Sequence, residues 1–458
     1  MTTISRRHLL GMAGGAAALG LVGCGGDDDD TAEPTATAPA SSGGTAANPT
    51  PTPRGIKPAS EITYWSVHPA NSKPVEEELI KRFQAAYPDI KVKLETAGAN
   101  YAEVSQKFNA GLAARQIPDV VMLSDVWWFK YFLAGTIEPL DALIAEAKID
   151  LSDYQDTLVK DYQFDGKQWG MPFARSTPLF YYNKEKWAAA GLPDRGPKTW
   201  DEFDEWAKTL QAMAKPGEFA FTHVKGDSYI AWTFHGIIWQ FGGRYSDDKF
   251  KMLMDSPEGI EAGNYVRSQV FNLKYANVTA KDVNADFLAG TTYSMLSSTG
   301  GLAGVLRDAK FPVGTAFLPE KKQFGCPTGG AGLCIPRAIS DEKKLAAMLF
   351  IGFITNPENT AYYSQNVGYM PVRKSAVNGP VMQEFFAKYP QFKTAVDQLP
   401  KTRPQDPARV YVPGGDAIIG KGLERMVLNN EDAKNVWPDV KKELEKIVDT
   451  EIRPKIKI

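Results

Sequence analysis

Polar and apolar positions alternate through Glu61-Ile62-Thr63-Tyr64-Trp65-Ser66-Val67, which predicts a strand. The period then changes. Pro74 stands where the first residue of a helix tolerates proline, and Val75, Leu79, Phe83 and Ala86 follow at helical spacing until Pro88-Asp89 ends the run. Ile90 to Leu94 alternates again. Tyr101 to Ala114 reads as a helix with Val104, Phe108 and Leu112 on one face. Pro118-Asp119-Val120-Val121-Met122-Leu123 is a short apolar strand of the kind found in a parallel sheet covered on both sides. Strand, helix, strand, helix, strand with short connections predicts an α/β lobe.

The pattern repeats further on. Ser176 to Asn183 reads as one strand. Lys198-Thr199-Trp200-Asp201-Glu202 spells a capping box, with Thr199 as the cap, Glu202 reaching back, and Phe203, Trp206, Ala207 and Leu210 on one helical face. Tyr293 to Leu296 is another strand, closed by Ser297-Ser298-Thr299-Gly300-Gly301. Thr328 to Leu333 is a glycine-rich stretch expected to bring backbone into the open before a strand. Ala417 to Ile458 is mainly helical.

The first residues follow different rules. Arg6 and Arg7 precede a small-apolar run from Leu9 to Val22, too short to span a bilayer, that ends in Gly23-Cys24. Leu21-Val22-Gly23-Cys24 resembles the bacterial lipobox, which implies removal of residues 1–23 and acylation of Cys24. Ser5-Arg6-Arg7-His8-Leu9-Leu10 also resembles the twin-arginine export signal. Residues 24–58 hold almost nothing large and apolar, so they are expected to form a disordered tether with a reach of about 30 Å. A net charge of −2 gives no reason to expect nucleic acid. Cys326 and Cys334 either pair across a turn in an oxidising compartment or are two small buried hydrophobes.

Four predicted strand ends or turns carry hydroxyls, glycine or a carboxylate: Ser124-Asp125, Ser176-Thr177, Ser298 to Gly301, and Gly329-Gly330. Such loops suit a polar ligand in an α/β protein. Several aromatics lie in polar, glycine-rich surroundings, namely Tyr64-Trp65, Trp127-Trp128-Phe129, Tyr181-Tyr182, Trp232 and Trp239. They are either cleft walls or ordinary core. His68, His223 and His235 remain outside the leader and form no H-x-x-x-H pair. There is no G-x-S-x-G elbow and no phosphate loop, which argues against an exported hydrolase.

From about residue 60 to 455 the chain resembles the extracellular solute-binding proteins of ABC importers, in the carbohydrate-type class of maltose-binding protein. The resemblance rests on Ile62-Thr63-Tyr64-Trp65, Leu79 to Phe83, Pro118 to Val121, Pro178 to Lys184, and Thr199 to Glu202. Within the class it is most similar to the branch that binds glycerol-3-phosphate and glycerophosphocholine. The carrying stretches are Ser124 to Phe129, Ala174 to Pro178, Ala231 to Phe234, Ser298 to Gly304, Cys326 to Gly332, Val367 to Val372 and Ala408 to Asp416.

The resemblance implies a periplasmic-binding-protein type II fold: two α/β lobes, a ligand cleft between them, and hinge crossings near 175, 300 and 370. Lobe 1 would hold 59–175 and 300–370, and lobe 2 would hold 176–299 and 371–458. It implies a monomeric lipoprotein, anchored by Cys24 on the outer face of the membrane, that serves an ABC permease without a cofactor and without bond chemistry. The implied ligand positions are Tyr101, Asp125, Ser176, Trp232, Ser298, Gly330, Tyr369 and Arg409. Arg409 suits a phosphate, Asp125 glycerol hydroxyls, and Trp232 a choline cation. A di- or oligosaccharide is the alternative ligand.

Overall fold

The computed structural model describes residues 55–457. The expected leader, the expected acylation site Cys24 and nearly all of the expected tether lie outside the described residues. The strands are β1 (Glu61–Ser66), β2 (Lys91–Thr96), β3 (Val120–Ser124), β4 (Gln163–Phe164), β5 (Lys167–Gln168), β6 (Met171–Ser176), β7 (Pro178–Asn183), β8 (Phe221–His223), β9 (Ala276–Val278), β10 (Ser294–Ser298), β11 (Val313–Ala316) and β12 (Gly329–Cys334). They build two five-stranded sheets, β2-β1-β3-β12-β6 and β11-β7-β10-β8-β9, with β4-β5 as a small ribbon. Each large sheet anchors one α/β lobe.

The first sheet begins as expected. β1 pairs in parallel with β2 and β3, and every residue of β3 is buried, as a strand covered on both faces requires. The helix Tyr101–Ala114 forms over the expected span, with the Asn100 side chain accepting from the Glu103 N–H. Antiparallel β12 then closes the sheet between β3 and β6.

Three expectations are corrected. Ser176 to Asn183 is not one strand. Ser176 ends β6 opposite Gly329 in the first sheet, and Pro178 begins β7 opposite Ser298 in the second. Thr177 is therefore the crossing between lobes, and Pro178, which has no N–H to donate, suits a change of ladder. The return near residue 300 also moves. β11 still pairs with β7 in the second sheet, so the chain goes back to the first only between β11 and β12. The stretch expected as open backbone before a strand is itself β12, from Gly329 onward.

The helix Trp200–Ala212 keeps its Thr199 cap, but the Glu202 carboxylate accepts from the Lys198 N–H at 2.6 Å and pairs with Arg195. Both Cys326 and Cys334 are free and buried, in different surroundings. Cys326 Sγ accepts from Gln398 Nε2 at 3.1 Å, whereas Cys334 is the last residue of β12, opposite Val121 of β3. The same Gln398 amide reaches the Thr177 hydroxyl at 3.2 Å and the Pro178 carbonyl at 3.0 Å, so it ties one crossing to the approach of the next.

His223, at the end of β8, carries a pH prediction. Burial pushes its imidazole down to about 4. An unfolded histidine titrates near 6.5, so between those values the unfolded chain binds more protons and stability is lost as the pH is lowered. At about 1.4 kcal/mol per unit the full effect is roughly 3 kcal/mol. His223→Gln is expected to lose less melting temperature between pH 7 and pH 4.5 than the parent chain. Parallel melting curves for the two proteins would refute this.

Candidate functional site

The cleft between the sheets holds a cavity of about 330 Å3. Tyr101, Asp125, Ser176, Trp232, Ser298, Gly330, Tyr369 and Arg409 all line it. They come from many separate segments. Tyr101 opens the helix Tyr101–Ala114, Asp125 follows β3, Ser176 ends β6, and Gly330 lies near the start of β12. Trp232 projects from the helix Asp227–Gln240 and Ser298 ends β10. Tyr369 follows the helix Pro357–Val367, and Arg409 sits in the short helix Pro407–Val410.

Backbone shape makes room for these side chains. Gly330 has φ 98, and a Cβ there would stand 2.1 Å from the Ala174 carbonyl oxygen. Both facts demand glycine. Its own carbonyl accepts from the Asp125 N–H at 3.0 Å, which fixes the turn after β3. Gly300 lets the Tyr369 ring approach; a Cβ there would meet that ring at 2.6 Å.

One wall is aromatic. The Trp232 indole donates to the Thr328 carbonyl at 2.8 Å and stacks on Tyr229 at 5.7 Å with 15° between planes. The Tyr229 hydroxyl accepts from the Ser298 N–H at 2.9 Å, so that wall is fixed to the end of β10. The Tyr101 hydroxyl is buried without a hydrogen bond. Burial holds it well above the usual phenol range and pushes Tyr369 up to about 12. Both therefore remain neutral donors at ordinary pH.

Another part of the lining carries charge. Arg409 is buried, and its Nη1 donates to Gln405 Oε1 and its Nη2 to the Ser228 carbonyl at 3.3 Å. Its Nε has no partner. The Asp125 carboxylate accepts from Gln405 Nε2 at 2.5 Å and stands 3.9 Å from Arg409 Nη1. Asp125 does not cap a helix, since the following helix Trp128–Leu133 has no side-chain cap. A buried cation with a free N–H, neutral hydroxyls and a stacked aromatic wall can hold a ligand that carries an anion, hydroxyls and an apolar or cationic end.

Of the aromatics singled out in the sequence, only Trp232 among the tryptophans lines the cavity. Trp128, Phe129, Tyr181 and Trp239 are core, and Trp127 lies outside the lining. Ser124 lies in one of the loops that the sequence singles out, whereas Val126, Ser228 and Tyr229 were not anticipated. Ser228 and Tyr229 precede Trp232 by four and three residues in one helix, so helical spacing was the available signal. The short helix holding Arg409 is anchored at its start by Asp406, whose carboxylate accepts from Trp239 Nε1 at 3.1 Å, Arg244 Nε at 2.9 Å and the Tyr245 N–H at 2.8 Å.

A family model described as bacterial extracellular solute-binding protein matches residues 78–394. The sn-glycerol-3-phosphate-binding periplasmic protein UgpB of Escherichia coli K12 is 26% identical over 410 residues, covering 85% of this chain and 90% of that protein. The crystal structure of UgpB from Mycobacterium tuberculosis in complex with glycerophosphocholine is 47% identical. It covers 87% of this chain and 100% of that one, with a TM-score of 0.82. Maltose-bound MalE3 of T. maritima is similar in fold, with a TM-score of 0.72 at 24% identity over 84% of this chain and 99% of that one.

Proposed function

The chain belongs to the bacterial extracellular solute-binding proteins, and on that footing we propose that it captures a glycerophosphodiester, glycerophosphocholine foremost, and delivers it to an ABC permease. The observation that carries the ligand is Arg409, a buried guanidinium in the cleft with its Nε unpartnered. A planar guanidinium meets phosphate oxygens two at a time, and a sugar gains little from one. Ser176, Ser298, Tyr369 and the Gly330 backbone surround the same space and are the further donors. Asp125 takes glycerol hydroxyls. The Trp232–Tyr229 stack and Tyr101 present ring faces to the choline cation. The cavity of about 330 Å3 lies at the small end of ligand sites, which suits a compact ligand better than an oligosaccharide.

Binding closes the lobes about the crossings, and the closed form docks on the permease. Cys24, acylated after removal of residues 1–23, tethers the domain within reach of that permease and raises its effective concentration there. Mass spectrometry of protein from native membranes is expected to find a diacylated or triacylated Cys24 as the first residue; an unmodified Cys24 would overturn the anchor.

Calorimetry against glycerophosphocholine, glycerol-3-phosphate, maltose and trehalose tests the ligand. Heat is expected with the phosphate ligands and none with the disaccharides. Silence with both phosphates, or a tightly bound disaccharide, refutes the reading.

A further inference from the structure

We infer that Gln405 is a positioning residue for this site: its amide stands between Asp125 and Arg409 and stops the two charges from neutralising each other. The inference rests on the glycerophosphodiester reading for its consequence, and on geometry alone for its cause. Gln405 is buried, and it touches both groups at once. Its NH2 donates to Asp125 Oδ2 at 2.5 Å, and its carbonyl accepts from Arg409 Nη1. The direct Arg409–Asp125 approach is left at 3.9 Å.

Few side chains can do this. The spacer must donate to an anion and accept from a cation in the same rotamer, which a neutral amide does and a leucine, lysine or glutamate does not. Only one orientation of the amide fits these neighbours. Gln405 also cannot retreat. The next residue is Asp406, whose carboxylate is held by Trp239, Arg244 and the Tyr245 N–H.

Without the spacer the pair would close. Two opposite charges about 4 Å apart in a poorly solvated cleft attract strongly, and a guanidinium and a carboxylate form parallel hydrogen bonds when nothing separates them. A closed pair would spend the N–H groups of Arg409 on Asp125 instead of on a phosphate. With Gln405 in place, Arg409 keeps a free Nε and only a 3.3 Å contact from Nη2 to the Ser228 carbonyl. The cleft then presents a separated positive and negative group, which complements a ligand with a phosphate at one point and hydroxyls at another.

The test is a double-mutant cycle read by calorimetry with glycerophosphocholine, using Gln405→Leu in the parent chain and in Asp125→Asn. In the parent, Gln405→Leu is expected to weaken binding about 10- to 100-fold. In Asp125→Asn, where no carboxylate is left to capture Arg409, the same change is expected to cost less than about threefold. Equal losses in both backgrounds overturn the inference, because a merely structural glutamine would be missed equally in each. Gln405→Met replaces Gln405→Leu if the latter does not fold. The ligand-independent arm is a crystal structure of the unliganded Gln405 variant. Arg409 and Asp125 are expected at about 2.8 Å; charges that stay apart overturn the inference even if the parent chain binds no phosphate ligand, an outcome that would sink the ligand reading separately.

Discussion

Arg409→Ala is expected to weaken glycerophosphocholine binding by about 100-fold or more while the chain still folds. Removing one partner from a desolvated, hydrogen-bonded charge pair costs about 2–5 kcal/mol, mostly because the other charge stays buried without a partner. Here two groups are stranded at once. The ligand phosphate loses its guanidinium, and Gln405 loses the donor that balances its bond to Asp125. Arg409→Lys is expected to fall between the two, since an ammonium keeps the charge but not the planar pair of donors. Arg409 is 4% exposed, so the loss should change little between low and moderate salt, unlike that of a surface charge. Calorimetry and melting temperature measured on the same samples check it. Unchanged affinity in Arg409→Ala would mean that the anion, if there is one, binds elsewhere.

How far the sequence reaches is visible in particular residues. β3 and the helix Tyr101–Ala114 were legible because a single period, uninterrupted, matches one element on one sheet or one face. Ser176 to Asn183 misled for the same reason. All six residues of β7 are buried, as is every residue of β6, so the apolar run continues although the sheet changes at Thr177. Periodicity reports burial and says nothing about which ladder supplies the partners. β12 was hidden by its glycines, which are poor strand formers but here admit the close approach of β6. The cavity residues were named through resemblance to a family, and no local pattern joins Tyr101 to Arg409. Tyr229 could have been found by its spacing from Trp232. Gln405 could not, because an amide between two charges leaves no mark in a sequence until the fold brings Asp125 across to it.

The largest effect on stability is expected one residue before Ser176. Arg175 has no solvent exposure, and its Nη2 is hydrogen-bonded to the buried Asp161, with Tyr162 Oη 3.3 Å from its Nη1. Arg175→Met would leave the Asp161 carboxylate buried without its cation. Breaking such a pair from one side costs about 3–5 kcal/mol, whereas replacing both partners costs far less. The melting temperature is therefore expected to fall by roughly 5 °C or more in Arg175→Met, and to recover most of that in Arg175→Met/Asp161→Leu. The dependence on pH separates the two halves of the pair. Burial already pushes the Asp161 carboxyl up to about 6 with Arg175 present, and loss of the cation raises it further. In Arg175→Met the folded chain then binds a proton that the unfolded chain, titrating near 3.9, does not, so the deficit shrinks as pH falls from 8 towards 5. Asp161→Asn leaves the opposite charge behind. A guanidinium cannot shed its proton to escape burial, so that deficit should persist across the same range. Melting curves of the three variants at pH 5, 6.5 and 8 distinguish these outcomes. Equal pH dependence of the two single variants would mean that the pair is solvated and that the buried charge does not govern the fold beneath Ser176.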